Sequence, residues 1–157
     1  MKVVVLAVGR VRGDLAAAVA GYEARASHYW KLETVEVDGG AGGREDREAV
    51  MAAEADRLLA RIPDGAEVVA LTRDGSAWSS TRLSKYLGER ALHGLGDVVF
   101  VIGGAYGLDA RLLRRAARRL SLSAMTLPHE MARLFLAEQL YRAGSILRNE
   151  PYHKGRD

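Results

Sequence analysis

Two stretches of the chain hold the residues best suited to binding a small molecule. Val98-Val99-Phe100-Val101-Ile102 runs directly into Gly103-Gly104-Ala105-Tyr106-Gly107. A second apolar run, Leu120-Ser121-Leu122-Ser123, leads through Ala124-Met125-Thr126-Leu127 to Pro128-His129. Each run ends in a loop without long charged side chains. Glycines let backbone turn freely and approach a ligand closely. In open α/β sheets, ligands sit beyond the carboxyl ends of the strands. Two such ends, close in sequence, therefore predict a crevice that grips its ligand with backbone donors and acceptors.

Several other chemistries have no residues to support them. The 157-residue chain has no cysteine, hence no disulfide framework, thiolate zinc site or cysteine nucleophile. His129-Glu130-Met131-Ala132-Arg133 lacks the second histidine of His-Glu-x-x-His, and the four histidines are scattered, so no metal is expected. There is no Gly-x-Ser-x-Gly elbow. Gly103–Gly107 is not Gly-x-Gly-x-x-Gly and follows the fourth strand-like run, so it is a weak dinucleotide fingerprint. Asp38-Gly39-Gly40-Ala41-Gly42-Gly43 is read as a connector, since no Gly-Lys-Ser/Thr follows it.

The elements that must position the two loops follow from periodicity. Strands are expected at 2–8, 34–37, 67–71, 98–102 and 121–127, those at 2–8 and 98–102 buried. Helices are expected at 14–32, 45–62, 79–93, from Asp109 to about 120, and from Pro128 onward. Alternating strands and crossover-length helices predict an open parallel sheet with helices on both faces, in a single domain over 1–157. Arg111, Arg114, Arg115 and Arg118 would line one face of the fourth helix, either as a phosphate track or as a solvated surface.

Composition is globular, 48% apolar and 27% charged. The net charge of +3 is unevenly placed. Residues 111–157 hold ten Lys/Arg against four Asp/Glu, whereas 1–110 are slightly acidic. A basic end on a near-neutral body points to an anionic partner. The first residues are too short for a signal segment and nothing approaches a membrane span, so a cytoplasmic protein without membrane association is expected.

A glycine-walled crevice with few charges beside a basic end suits S-adenosylmethionine. Its sulfonium is already a good leaving group, and the protein must chiefly align an acceptor and manage one proton. A ribosome-binding factor without activity, or a nucleotide- or flavin-binding α/β protein, also fits these residues.

Four blocks resemble the SPOUT methyltransferases, and within them a small bacterial family that methylates N3 of a pseudouridine in 23S ribosomal RNA. They are Phe100 to Leu108, Leu122 to His129, Glu138-Gln139-Leu140-Tyr141-Arg142-Ala143, and Asn149-Glu150-Pro151-Tyr152-His153-Lys154. The resemblance spans the chain. It implies a C-terminal trefoil knot, a homodimer, and 23S rRNA within the ribosome as substrate. It also implies that S-adenosylmethionine binds against Leu71, Thr72, Gly103, Gly104 and the 124–129 loop: Ala124, Met125, Thr126, Leu127, Pro128 and His129. Thr72 stands where the family usually has Asp. Arg142, His153 and Lys154 are the expected catalytic residues. Arg142 would hold RNA or stabilise a developing oxyanion, and His153 would accept a proton or serve as a surface contact.

Overall fold

The computed structural model describes residues 1–43 and 46–154. Five parallel strands lie in the order β2-β1-β4-β3-β5. They are β1 (Lys2–Val8), β2 (Lys31–Val37), β3 (Glu67–Ala77), β4 (Val98–Ile102) and β5 (Arg118–Ser121). Five helices alternate with them: α1 (Asp14–Ala26), α2 (Arg47–Leu59), α3 (Ser80–Leu92), α4 (Ala110–Arg115) and α5 (His129–Leu147). A 3₁₀ turn, Pro151–His153, follows.

The inner strands β1, β4 and the first half of β3 are apolar on both faces, as a covered parallel sheet requires, while the edge strands β2 and β5 carry exposed charges. Alternate β1 side chains divide between two cores. Val3, Val5 and Ala7 pack with Phe100, Leu83, Leu87, Leu136 and Leu140, on the side of α1, α3 and α5. Val4, Leu6 and Val8 pack with Val68, Val99, Leu58 and Leu112, on the side of α2 and α4. Phe100, Leu136 and Leu140 are fully buried, each contributing about 1.5–3 kcal/mol of hydrophobic stabilisation.

Local chemistry sets the element ends. The Ser79 side chain caps α3 by accepting from the Arg82 N–H, and Asp109 caps α4 by accepting from Arg111 N–H. The expected end of α3 near Gly94 holds, with that glycine at φ +59°.

Four expectations need correction. The first helix stops at Ala26, not near 32. Trp30 turns into the core, where its indole N–H donates to the Leu140 carbonyl at 2.8 Å, and β2 starts at Lys31. The second helix ends at Leu59, not Ile62, and its expected start at Glu45 lies outside the described residues. β3 continues past Leu71 to Ala77, with a register shift between Leu71 and Ser76 against β5. The fourth helix ends at Arg115, because Ala117 N–H is drawn to the Val68 carbonyl at 2.9 Å. The fifth strand is therefore 118–121, not 121–127.

The last correction dissolves the arginine stripe. Arg118 lies on β5 and pairs with Glu67 at 3.1 Å. Arg111 pairs with Asp56 at 2.7 Å, and Arg115 donates to the Ala66 carbonyl at 3.1 Å. Three of the four guanidiniums thus tie α4 and β5 to their neighbours.

Candidate active site

The β3 irregularity and the end of β5 bring two loops together. The Ser121 hydroxyl lies 2.9 Å from the Arg73 carbonyl oxygen and 3.0 Å from that of Ser123, bracing β5 against β3. Ser123 Oγ accepts from the Met125 N–H at 2.9 Å, turning the loop back on itself. Arg73 Nη1 donates to Thr126 Oγ1 at 3.0 Å and joins the two loops directly.

These bonds enclose a cavity of about 130 Å³. Leu71, Thr72 and Arg73 line it from β3, and Ala132 from α5. Leu122, Ser123, Met125, Thr126 and Leu127 line it from the loop. Its walls are largely apolar, with one exception. Thr72 Oγ1 is buried and has no hydrogen-bond partner. An unsatisfied buried hydroxyl costs on the order of 1–3 kcal/mol, so such groups are retained where a ligand or water completes them.

A second cavity of about 300 Å³ shares Leu127 and is lined by Tyr22, Met131, Leu134, Phe135, Glu138 and Gln139. Met131 and Phe135 are each 42% exposed beside it, and Met125 is 78% exposed. These make an apolar surface around the start of α5.

Five of the ten residues expected to bind the donor therefore surround one cavity: Leu71, Thr72, Met125, Thr126 and Leu127. Ala124 is exposed on the same loop, and Pro128 is the N-cap of α5. His129 turns towards β1, with Nε2 about 3.3 Å from where a Gly9 side chain would begin. Gly103 and Gly104 lie at the end of β4 and line neither cavity. A Cβ on Gly104 would sit 2.7 Å from Glu54 Oε1 and 3.1 Å from Val8, so backbone and carboxylate approach there as only glycine permits.

The sequence reading missed Glu54. It is 4% exposed, its Oε2 accepts from the Gly40 N–H at 2.8 Å, and its Oε1 is unpartnered. Its signal was an acid within the inward stripe of Met51, Ala55 and Leu58. Arg73 was also missed, though it directly follows Leu71-Thr72.

The expected catalytic residues gather elsewhere, on the second half of α5 and the turn after it. Glu138 Oε1 accepts from Arg142 Nε at 3.0 Å, from Arg142 Nη2 at 2.7 Å and from the Tyr152 hydroxyl at 3.0 Å. The Arg142 guanidinium lies 5.0 Å from the Tyr152 ring centroid. Burial, with hydrogen bonds to Tyr22 and Glu138, pushes the Tyr152 phenol well above its ordinary range, so it stays neutral. His153 Nδ1 is 3.0 Å from Ser145 Oγ, and Lys154 is exposed. Glu138 links the groups, because it also lines the second cavity. Among the described residues, no cluster of three or more His, Cys, Asp or Glu could hold a metal ion, and no helix is long and apolar enough to cross a membrane.

The family model described as "Predicted SPOUT methyltransferase" matches residues 1–153. The chain belongs to the SPOUT methyltransferase family. Within it, the chain is similar over its length to proteins named ribosomal RNA large subunit methyltransferase H. That of Gemmatimonas aurantiaca is 48% identical, over 98% of this chain and all of the relative. That of Chromobacterium violaceum is 47% identical, over 98% of this chain and 99% of the relative. A solved structure of a probable methylase family protein from Haemophilus influenzae Rd KW20 shares the fold. It has a TM-score of 0.52 at 14% identity, and the match covers 94% of this chain and 66% of that one.

Proposed function

We propose that this chain transfers the methyl group of S-adenosylmethionine to N3 of a pseudouridine in 23S ribosomal RNA. It does so in the cytoplasm, on assembled ribosomes, as a homodimer. The observation that carries the reading is the cavity where the β3 and β5 loops meet, with the buried, unpartnered Thr72 hydroxyl in its wall. Similarity over the whole chain to methyltransferases of large-subunit rRNA supports the substrate.

The residues present fit the donor. Leu71, Leu122 and Leu127 offer apolar surface to an adenine, and Thr72 Oγ1 offers a ribose hydroxyl the partner it lacks. Loop backbone supplies the remaining polar contacts, and Leu127 also lines the neighbouring second cavity. S-adenosylmethionine, when bound, supplies an electrophilic methyl group on a sulfonium leaving group. Thr72 replaces a carboxylate usual in the family, so this site would hold the donor with one charge fewer.

The protein's own tasks are alignment and proton removal, because the imide N3–H must leave. In the tautomer whose Nδ1–H donates to Ser145, His153 Nε2 is free to accept that proton. Arg142 is held by Glu138 and the Tyr152 ring, and would stabilise negative charge developing on the imide oxygens. Lys154 would reach phosphate. The apolar surface of Met125, Met131 and Phe135 is the face on which a second copy would sit, bringing its tail towards this cavity. A trefoil-knotted C-terminal segment belongs to the same reading.

The test is a labelled-methyl assay on ribosomes from a strain lacking this protein, with the modified base mapped. Label on a pseudouridine of 23S rRNA supports the reading, and unlabelled rRNA sinks it. A ribosome-binding factor without activity would bind but not label.

A further inference from the structure

The edge of the sheet beside the cavity carries a second, polar groove. It has a volume of about 410 Å³ and is lined by Ser76 and Trp78 of the β3 end, Arg82 of α3, and Arg118 and Arg119 of β5, with Asp74 the only acid. Arg118 is committed to Glu67. Arg82 and Arg119 are exposed, and neither has an ion-pair partner among the described residues. The Arg82 guanidinium lies 4.9 Å from the Trp78 ring centroid, and Trp78 packs on Tyr86 at 5.1 Å.

A guanidinium over an indole, a second ring tilted against that indole, and two arginines without ion-pair partners among the described residues make a surface that suits single-stranded RNA. Unpaired bases stack on such planes while arginines hold phosphates. The groove leads to the cavity along the chain, since Asp74 follows Arg73. Shared wall residues also place the two near each other. Trp78 and Leu122 line one small cavity, and Leu122 also lines the one holding Thr72. The wider groove on the opposite edge mixes Arg10, Arg12 and Arg61 with Glu33, Glu36 and Asp38, and no aromatic lines it.

Resting on the methyltransferase reading, we infer that Trp78, Arg82 and Arg119 grip the single-stranded RNA flanking the target nucleotide. A base that must be alkylated has to leave its stack. Holding its neighbours at this edge would keep it beside the cavity.

The test compares wild type with R82A/R119A in two arms. In the first, methyl transfer to ribosomes lacking the modification should show KM raised on the order of tenfold, with kcat and donor affinity near wild type. In the second, binding to protein-free 23S rRNA should weaken. Its log–log salt slope should fall by about 1.4, or about 0.7 for each single-strand phosphate no longer neutralised. Unchanged RNA affinity and slope would overturn the inference. That holds even if KM for ribosomes rose, because the groove would then be holding a ribosomal protein. The binding arm needs no turnover, so failure of the methyltransferase reading would appear only as absent activity in wild type.

Discussion

Arg73 and Thr126, 53 residues apart in sequence, meet at 3.0 Å and close the two loops around one cavity. The bond is exposed, so its effect should fall on loop placement more than on global stability. Thr126→Val keeps the shape and removes the acceptor. Titration calorimetry should show S-adenosylmethionine affinity reduced about three- to tenfold, from a loss of about 1 kcal/mol, with Tm nearly unchanged. Wild-type affinity would mean the loops hold their places without the bond.

Thr72→Val should act with opposite signs on two measurements. Without donor, removing an unsatisfied buried hydroxyl should raise Tm slightly. With donor, affinity should fall by about tenfold, roughly 1.4 kcal/mol, because the ligand loses its partner. A variant that is stabilised and binds the donor as wild type does would remove Thr72 from the site.

The tail is predicted to serve transfer and not donor binding. Arg142→Ala, and separately truncation after Pro151, should leave S-adenosylmethionine affinity within about twofold while methyl transfer falls on the order of 100-fold or more. Arg142→Ala also leaves Glu138 without its guanidinium, so Tm should be measured alongside. Weaker donor binding by both variants would assign these residues to the donor.

Acid stability should report on Glu67. Burial raises the pKa of its carboxyl, but hydrogen bonds from Tyr86 and Arg118 and the charge of Arg90 outweigh it, so the net shift is downward from 4.5. A depressed folded pKa adds stability that is fully present above the unfolded value and lost as pH falls through the folded one. Glu67→Gln should therefore be less stable than wild type at pH 7 by about 1–2 kcal/mol, discounted for partial exposure. The difference should shrink below about pH 4.5 in denaturant titrations. A constant gap down to pH 2 would exclude this linkage.

The sheet was legible because its inner strands are apolar on both faces, and the loop of 124–128 because it follows an apolar run and matches a family block. The limits of β5 were not, since they depend on Ala117 finding a partner on β3. The Arg111 to Arg118 stripe failed for the same reason: helical spacing does not reveal that a helix stops after six residues. Glu54 was hidden because a lone acid on an apolar stripe gives no hint of the glycine backbone beside it. The gathering of Arg142, Tyr152 and His153 around Glu138 and Ser145 depends on a chain reversal after Leu147, where Asn149 takes φ +52°.

If the irregular middle of β3 and the loop after β5 hold the methyl donor, a crystal structure of this protein with S-adenosylmethionine tests it most directly. Density for the donor is predicted between Leu71-Thr72 and 122–127, with a ribose hydroxyl on Thr72 Oγ1. Ordered donor in either sheet-edge groove, with the Thr72 cavity empty, would contradict it.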